Sequence, residues 1–314
     1  MGEFELIRRF FQRPAGAGVD VGVGDDCAVL APTRGARWLV SSDMLVEGRH
    51  FLSTVDPQRL GHKALAVNLS DLAACGATPR GFTLALALPQ ADEAWLGGFS
   101  KGLLALAEAS GCPLVGGDTT QGPLNICVTI FGEAPAGQAL LRSGARIGDE
   151  IWVSGWLGDA RLALEAFRGR VTLGGTDFDA ARLAMECPTP RLELGLALRG
   201  RATAAIDISD GLLGDLGHVL RASRVGARLE LDALPRSSVL AQQSQLLQRE
   251  CLLAGGDDYE LVFTVPAGTD VPALAGATPV TRIGVIEAEP GLRVVDADGQ
   301  AVAHGLRSFD HFKS

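Results

Sequence analysis

The residues of this sequence best suited to chemistry are aspartates that stand beside glycine or hydroxyl residues at the ends of apolar runs. They are Asp25, Asp26, Asp43, Asp71, Asp118, Asp207, Asp210, Asp257 and Asp258. Any single one is more typical of a turn or a helix cap, and Asp210 before the run GLLGDLGHVL fits that interpretation. As a set they fit another chemistry, because Mg²⁺ typically takes carboxylates, waters and phosphate oxygens. If the turns converge, the sequence predicts a magnesium cluster formed by Asp26, Asp43, Asp71, Asp118 and Asp207.

Asp71 is the aspartate that is hardest to explain as a cap. If the stretch LGHKALAVNLSDLAAC is helical, Asp71 shares an otherwise apolar face with Leu60, Ala64 and Val67. A carboxylate on such a face costs several kcal/mol unless it is paired, protonated or bound to a metal. Lys63 lies two turns away and no arginine lies within one turn. The partner is therefore either a cation from outside the chain or a distant arginine.

The familiar nucleotide-binding motifs do not occur in the sequence. There is no P-loop pattern, no GxGxxG between a strand and a helix, and no HRD or DFG set. Lysine occurs only at positions 63, 101 and 313, so a P-loop kinase is excluded and a dinucleotide dehydrogenase is not expected. A polyphosphate beside these aspartates would need metal ions, because two like charges about 4 Å apart repel by about 4 kcal/mol at an effective dielectric constant of about 20.

The histidines do not form a recognisable catalytic set. They include no HExxH pair, and none has an obvious serine or cysteine nucleophile beside it: His50, His62, His218, His304 and His311. Each is more typical of a surface or core residue than of a catalyst. This pattern suits a reaction whose acceptor is itself a phosphate. An ionised phosphate needs no general base, and positioning together with charge neutralisation can then carry the transfer.

Composition and length bound the class of protein. The chain has 314 residues, of which 47% are apolar and 21% charged, and this indicates a globular protein of two domains. Its net charge of −9 argues against nucleic acid or an anionic membrane as a partner. The six cysteines form no CxxC pair and are typical of buried residues in a reducing compartment. The sequence has no signal-peptide pattern and no run of roughly 18 apolar residues, so a cytoplasmic location is predicted.

Helices and strands are predicted to alternate along the chain. Helices are expected near the N-terminus, from Asp56 as N-cap through Pro57 to a stop at Gly76, and over a stretch that ends at Gly111. Strands are expected in RWLVSSDML, FTLALALP, NICVTIFGEA and EIWVSG. In the second half, a polar glycine-rich insert is expected before Pro190 and one helical segment in SSVLAQQSQLLQREC.

A change of composition at 134–148 marks the predicted domain boundary. Proline, glycine, arginine and serine are concentrated there, after which an apolar run restarts. We therefore expect domains at 1–137 and 138–314. The alternation of elements predicts an α/β fold with mixed α+β layers.

Seven fragments in this order resemble the thiamine-monophosphate kinase family: GVGDDCAVL, SSDMLVEGRHF, KALAVNLSDLAACGATP, GGDTT, LLRSGARIGDEIWVSG, DISDGL and GGDDYELVFTV. The resemblance extends to FDHF near the C-terminus. It implies the two-domain fold of aminoimidazole ribonucleotide synthetase-like enzymes, which are dimers whose N-terminal domains form a β-barrel across the dimer. It also implies direct in-line transfer of a phosphoryl group from ATP to thiamine monophosphate, assisted by several Mg²⁺ ions.

The resemblance also implies roles for single residues. Metal ligands are expected at Asp26, Ser41, Ser42, Asp43, Asp71, Asp118, Asp207 and Asp210. ATP contacts are expected at Gly117, Asp118, Arg142 and Ser209. Asp118 and Arg142 are the expected catalytic residues, with Arg142 stabilising charge on the transferring group. Contacts to thiamine monophosphate are expected at His50, Asp257 and Phe309.

The chain departs from the family pattern at a few positions. Ser42 replaces a threonine in the fragment that is commonly STDT, and Asp257 is one methylene shorter than the usual glutamate of GGEDYE. Phe309 holds a place often taken by another aromatic residue. Two other interpretations remain open at this point: a sister enzyme of the same superfamily, and a non-catalytic Mg²⁺-nucleotide sensor or structural α/β dimer, in which the aspartates would be caps and solvated turns.

Overall fold

The structure is a computed structural model that describes residues 2–14, 16–24, 27–303, 305–306 and 308. The chain divides into two compact units. The first unit comprises Met1–Leu72 and Ala77–Gly137, and the second comprises Ala73–Gly76 and Gln138–Ser314. Within the described ranges, no helix combines the length and the apolar character that a membrane crossing requires.

The described residues of the first unit form a short N-terminal helix, two longer helices and six strands. The helices are α1 (Glu3–Leu6, continued by a π-helical turn at Ile7–Phe11), α2 (Pro57–Ala74) and α3 (Glu93–Ala109). The strands are β1 (Val19–Val21), β2 (Val29–Leu30), β3 (Ala36–Val46), β4 (Thr78–Leu88), β5 (Leu114–Gln121) and β6 (Asn125–Pro135). The main sheet has the order β3-β6-β4-β5, in which β4 and β5 are parallel and the other pairs antiparallel.

Helix α2 begins and ends where its sequence predicts. The Asp56 Oδ1 atom accepts hydrogen bonds from the backbone N–H groups of Gln58 and Arg59 at 2.9 and 3.2 Å. Pro57 occupies the first helical position, where its missing N–H costs nothing. Gly76 follows the helix with a φ of 61°, a conformation that glycine adopts readily. The predicted cap and stop are confirmed.

The second unit contains a six-stranded sheet and seven α-helices among its described residues. The strands are β7 (Glu150–Ser154), β8 (Ala204–Asp207), β9 (Gly226–Glu230), β10 (Leu261–Val265), β11 (Val280–Glu287) and β12 (Gly291–Val295). The helices are α4 (Asp159–Phe167), α5 (Gly175–Glu186), α6 (Leu192–Ala197), α7 (Leu212–Ser223), α8 (Ser238–Ala241), α9 (Gln245–Ala254) and α10 (Val271–Ala275). The sheet order is β12-β9-β11-β7-β10-β8, antiparallel except for the parallel pair β12 and β9.

Two predictions for the second unit were wrong. Helix α5 lies where a polar insert was expected, because Ala181 and Met185 pack into the core of the unit and Phe178 meets Phe167 edge to face at 5.2 Å. The glycines at its start concealed this apolar face. The segment predicted as one helix after residue 236 is two helices, since the Ser244 hydroxyl accepts a hydrogen bond from the backbone N–H of Leu247 and starts α9 as a new helix.

Candidate active site

In the first unit the structure brings together Ser41, Asp43 and Asp71. Alternate residues of a strand share a face, and Ser41 and Asp43 lie on the face of β3 that contacts α2. The Ser41 hydroxyl donates to Asp71 Oδ2 at 2.5 Å. The backbone N–H of Asp43 donates to Asn68 Oδ1 at 3.2 Å, and Asn68 is itself buried one helical turn before Asp71. Helix α2 therefore fixes both the strand and the carboxylate.

The two carboxylates of this group repel each other. Burial raises the pKa of Asp43 to about 7, and the charge of Asp71 together with a hydrogen bond to it adds to the rise. Two carboxylates so close together need a shared proton or a cation. The donors offered are all oxygens, which is the donor set that Mg²⁺ prefers. The pair therefore fits a magnesium ion, although the described part of the chain holds no group of three or more His, Cys, Asp or Glu side chains suited to a metal.

The placement of the aspartates corrects the sequence interpretation in one respect. Asp118 was expected at a turn but lies inside β5, whereas Asp43 and Asp71 lie inside β3 and α2, as the predicted strand and helix imply. Asp118 is tolerated because β5 is an outermost strand of its sheet. Asp71 and Asp43 are tolerated because the polar side chains of Ser41 and Asn68 lie beside them. Ser42 points to the face of β3 opposite Ser41, where its hydroxyl contacts Thr129 Oγ1 at 3.0 Å and donates to the Val128 carbonyl at 3.1 Å. The Ser42 hydroxyl is thus not grouped with Asp43 and Asp71.

Gly117 and Asp118 line a small pocket beside β5. Both residues are exposed, and β5 is the outermost strand of the described sheet on that side. Gly117 has a φ of 149°, and an added Cβ would lie 1.9 Å from the Leu84 carbonyl oxygen. Only glycine fits this backbone. The close pairing of β5 with β4 at Leu84 therefore requires a glycine at this position.

His50 lies in the turn that follows β3. Its Nδ1 atom accepts a hydrogen bond from the backbone N–H of Val46 at 3.0 Å, and its carbonyl accepts one from Lys63 at 3.5 Å. Nδ1 is therefore the unprotonated nitrogen in this arrangement. The loop orients the ring, which is what a substrate contact requires.

In the second unit the predicted residues Asp207, Ser209 and Asp210 lie on the turn between β8 and α7. Asp207 is the last residue of β8 and is buried. The turn is held by Asp215, whose Oδ2 atom accepts hydrogen bonds from the backbone N–H groups of Ser209, Asp210 and Gly211 at 3.0 to 3.1 Å. Three donors to one carboxylate fix the direction of the side chains that leave the turn.

Asp215 is a residue that the sequence analysis missed. Burial raises its pKa to about 7, although the three N–H groups favour the ionised form. The signal was present as an acidic residue in the first turn of the predicted helix, where unpaired backbone N–H groups attract negative charge. It was overlooked because Asp215 stands within the apolar run GLLGDLGHVL.

The loop at 255–260 packs against the same turn. The backbone N–H groups of Asp257 and Tyr259 donate to the carbonyls of Ser209 and Ile208 at 2.9 and 2.8 Å. Asp257 and Tyr259 have φ values of 66° and 50°, which are strained for residues other than glycine and are typical of functional sites. The Tyr259 hydroxyl donates to Asp257 Oδ1 at 3.1 Å. The Asp257 carboxylate is thereby held beside the turn.

The other two acidic residues of GGDDYE have structural roles. Asp258 accepts hydrogen bonds from the backbone N–H of Gly158 at the start of α4, at 2.9 and 3.1 Å. Glu260 is buried and forms a two-point ion pair with Arg191, with contacts of 2.7 and 2.5 Å. Among these three carboxylates, Asp257 is the one suited to a ligand.

Arg142 is exposed, and its carbonyl accepts a hydrogen bond from the Ser223 hydroxyl at 3.3 Å. The positive charge of Arg142 affects His218 on α7. Burial lowers the pKa of His218, the charges of Arg221 and Arg142 lower this pKa further, and the charge of Asp210 raises it. Arg142 and Asp210 therefore both lie close enough to His218, within the second unit, to change its pKa. The predicted residues Asp26 and Phe309 lie outside the described residues.

Two family models and a close relative identify the chain. AIR synthase related protein, N-terminal domain, matches residues 24–134, and AIR synthase related protein, C-terminal domain, matches residues 146–297. A thiamine-monophosphate kinase of Salmonella typhimurium is 46% identical over 323 residues, covering 99% of this chain and 98% of the relative. The chain belongs to the thiamine-monophosphate kinase family.

Solved structures of thiamine-monophosphate kinase family members support the assignment. The enzyme from Stenotrophomonas maltophilia K279a matches with a TM-score of 0.85 and 44% identity, over 91% of this chain and 93% of that one. AaThiL complexed with AMPPCP and TMP matches with a TM-score of 0.79 and 32% identity, over 90% of this chain and 89% of that one. The predicted family and the mixed α/β fold class are confirmed.

Proposed function

We propose that this chain transfers the terminal phosphoryl group of ATP to thiamine monophosphate, giving ADP and thiamine diphosphate. The observation that carries the proposal is the 46% identity to a thiamine-monophosphate kinase over 99% of the chain. The complex of AaThiL with AMPPCP and TMP supports it, since that protein is 32% identical to this one. The grouping of Ser41, Asp43 and Asp71 adds a structural reason, because an oxygen-only acidic site suits metal-dependent phosphate chemistry.

We assign the ligand roles as the family resemblance implies. Mg²⁺ ligands are Asp26, Ser41, Ser42, Asp43, Asp71, Asp118, Asp207 and Asp210, with Ser42 acting through its carbonyl because its hydroxyl lies on the other face of β3. Gly117, Asp118, Arg142 and Ser209 contact ATP. His50, Asp257 and Phe309 contact thiamine monophosphate. When bound, Mg²⁺ supplies the positive charge that lets two anionic phosphates approach each other.

The residues of the chain then position the reactants and stabilise charge. The acceptor phosphate of thiamine monophosphate is ionised near neutral pH, so no side chain has to remove a proton from it. The nucleotide contacts Gly117 and Asp118, which are exposed on β5, an outermost strand of the described sheet. Arg142 donates hydrogen bonds to the transferring group, where a guanidinium is most effective. In-line transfer between phosphate oxygens needs no covalent enzyme intermediate.

We further propose that the chain forms a homodimer through the sheet of the first unit. Trp38, Val40 and Met44 lie on one face of β3 and are 42%, 60% and 54% exposed. A row of large apolar side chains on an outermost strand is a surface that proteins normally cover. A second copy of the sheet would cover it and complete the barrel that the family resemblance implies.

The proposed setting is the cytoplasm. The six cysteines form no CxxC pair in the sequence, a pattern typical of a reducing compartment. The net charge of −9 argues against nucleic acid or an anionic membrane as a partner.

The test is direct product formation. Purified protein is incubated with ATP, Mg²⁺ and thiamine monophosphate, and thiamine diphosphate is measured by chromatography with an EDTA control. We expect one thiamine diphosphate for each ADP formed, and no product with EDTA. ADP formation without thiamine diphosphate, or no reaction in folded protein, would overturn the proposal.

A further inference from the structure

Trp156 is an exposed aromatic residue in a run of buried ones. It is 54% exposed, whereas the nearby Ser154 and Leu157 are fully buried. The residue belongs to the loop that connects β7 to α4. An indole ring in such a position presents a large flat surface, which is suited to stacking on an aromatic ring or binding a cation. Trp156 therefore offers an aromatic surface to a ligand at this loop.

The backbone of the Trp156 loop is fixed on both sides of the ring. Gly155 and Gly158 have φ values of 57° and 87°, a conformation that glycine adopts readily. The Gly155 N–H donates to the Pro279 carbonyl at 2.9 Å. A Cβ added to Gly155 would lie 1.9 Å from Glu260 Oε1, so no other residue fits there. Because the loop is already ordered, a ligand that binds to Trp156 loses little affinity to ordering it.

The Trp156 loop leaves the sheet of the second unit at the same edge as the turn after β8. Strands β7 and β8 each pair antiparallel with β10, so they run in the same direction and end at one edge. Leu261 of β10 lies between their ends. It pairs with Asp207, the last residue of β8, and its N–H donates at 2.8 Å to the hydroxyl of Ser154, the last residue of β7. Trp156 follows Ser154 by two residues.

A third loop, which precedes β10, joins the Trp156 loop to that turn. The Gly158 N–H donates to both carboxylate oxygens of Asp258 at 2.9 and 3.1 Å. The preceding residue, Asp257, donates its N–H to the Ser209 carbonyl at 2.9 Å. Trp156 and Asp257 thus stand on adjoining loops, each within two residues of the hydrogen bonds that join them. An indole ring and a carboxylate in one neighbourhood favour a ligand with a positively charged ring.

We infer that Trp156 binds the thiazolium ring of thiamine monophosphate through a cation–π contact. The inference rests on the proposed function, in which Asp257 contacts the same substrate. The thiazolium ring is flat and positively charged, and tryptophan is the side chain that attracts such a cation most strongly. The Asp257 carboxylate adds a negative charge that favours the same cation. Trp156 therefore selects the acceptor by its ring, whereas Mg²⁺ acts on its phosphate.

The experiment measures equilibrium binding to the full chain with Mg²⁺ present and without turnover. Trp156→Phe keeps a ring that attracts cations more weakly, and Trp156→Leu keeps an apolar side chain without a ring. Trp95→Phe is the matched control, because it makes the same replacement on α3 of the first unit, where the ring stacks on Phe99. Thiamine monophosphate, thiamine diphosphate and the ATP analogue AMPPCP are titrated separately by calorimetry. Quenching of tryptophan fluorescence is recorded in parallel.

We expect Kd for thiamine monophosphate to rise about threefold in Trp156→Phe and about tenfold in Trp156→Leu. Thiamine diphosphate carries the same ring and should show the same changes. Kd for AMPPCP should stay within about twofold of wild type, because Asp215 and backbone hydrogen bonds hold the turn at 209–211 and both variants retain them. Thiamine monophosphate should quench the fluorescence of wild type and of Trp95→Phe, and much less that of the two Trp156 variants.

Three results would overturn the inference. They are an unchanged Kd for thiamine monophosphate in Trp156→Leu, an equal rise of Kd for thiamine monophosphate and AMPPCP, and quenching that persists in both Trp156 variants. If wild type still forms thiamine diphosphate in these cases, the proposed function stands. Conversely, a wild type that binds thiamine monophosphate through Trp156 but forms no thiamine diphosphate would overturn the proposed function and support the inference. A wild type that does not bind thiamine monophosphate would overturn both.

Discussion

Asp71 follows Val67 by four residues and Ala64 by seven on α2, and both of those residues are buried. Its carboxylate therefore leaves the helix on the face that packs against β3, where it meets Ser41 and Asp43. An ionised carboxylate in such surroundings is stable only with compensating hydrogen bonds or a cation. The Ser41 hydroxyl compensates part of the charge, and the nearby Asp43 carboxylate adds more negative charge.

Asp71→Asn is predicted to lower kcat/KM by about 100-fold or more while the protein remains folded. The amide still accepts the Ser41 hydrogen bond, but the Asp43 and Asp71 pair has lost one of its two negative charges, which attract Mg²⁺. Activity measured against Mg²⁺ concentration should show a higher requirement for the metal. Asp56→Asn is the control, because it makes the same change on the same helix and asparagine caps helices as well as aspartate does. Equal activity of the two variants would contradict the metal-ligand assignment.

At the scale of elements, the turn after β8 and the loop before β10 are held together by their backbones. The Asp257 N–H bonds to the Ser209 carbonyl, and a Cβ added at Gly256 would lie 2.4 Å from that same oxygen. The two segments approach so closely that a side chain does not fit between them. This contact, together with the Tyr259 hydroxyl, places the Asp257 carboxylate despite its being shorter than the usual glutamate.

Gly256→Ala is predicted to destabilise the protein by about 1 to 3 kcal/mol and to raise KM for thiamine monophosphate, because the loop must shift away from the turn. Urea unfolding and steady-state kinetics measure the two effects. At Gly175 an added Cβ meets nothing within 4 Å, so Gly175→Ala should leave both quantities near wild type. A Gly256→Ala protein with wild-type stability would show that the two backbones are further apart than described.

The contact of Asp258 with the start of α4 gives a prediction for pH. Burial raises the pKa of Asp258 well above its usual range, and the charges of Glu260, Asp159 and Asp257 add to this. Above about pH 4 the unfolded chain releases this proton while the folded protein keeps it, so its contribution to stability falls as pH rises toward the folded pKa. Asp258→Asn removes that loss and keeps an acceptor for Gly158.

The unfolding midpoint of Asp258→Asn, relative to wild type, should therefore be higher at pH 7 than at pH 5. Urea unfolding at the two pH values measures the difference. Asp298 is exposed, and Asp298→Asn should show the same small difference at both values. The prediction fails if Asp258→Asn shifts the midpoint equally at pH 5 and pH 7.

At the scale of the whole molecule, the surface that we expect to form the homodimer is the outward face of β3. Val40 is 60% exposed in the single chain and lies between Trp38 and Met44 on that face. A homodimer with twofold symmetry would bring the same patch of both copies together. The apolar side chains would then be covered, as strands of this length on the outside of a sheet normally are.

Val40→Glu is predicted to weaken the dimer by about 100-fold or more, because it places two like charges in one symmetric apolar interface. Light scattering after size exclusion, over a range of protein concentrations, measures the change in mass. Val29 on β2 is 47% exposed, and Val29→Glu should leave the mass unchanged. A monomeric wild type, or a Val40→Glu protein that remains dimeric, would remove the proposed interface.

The sequence by itself determined the order of most elements, the cap and stop of α2, the mixed α/β class and the family. These depend on local patterns: the helical spacing of Leu60, Ala64 and Val67, the Asp56 and Gly76 signals, and fragments such as DISDGL in a fixed order. It did not reveal α5, because glycines at the start of that helix resemble a loop until the contacts of Met185 and Phe178 are known.

Only the tertiary structure decided which carboxylates meet and what holds them. Asp43 and Asp71 are 28 positions apart and come together because α2 packs on β3. Asp215 looked like one more residue of an apolar run until three backbone N–H groups were found to converge on it. The hydrogen bond from the Gly214 N–H to the Ser308 hydroxyl could not be predicted from the sequence, since these two residues are 94 positions apart. Side-chain types and their spacing are local properties, whereas the distances between carboxylates, carbonyls and N–H groups depend on how the elements pack.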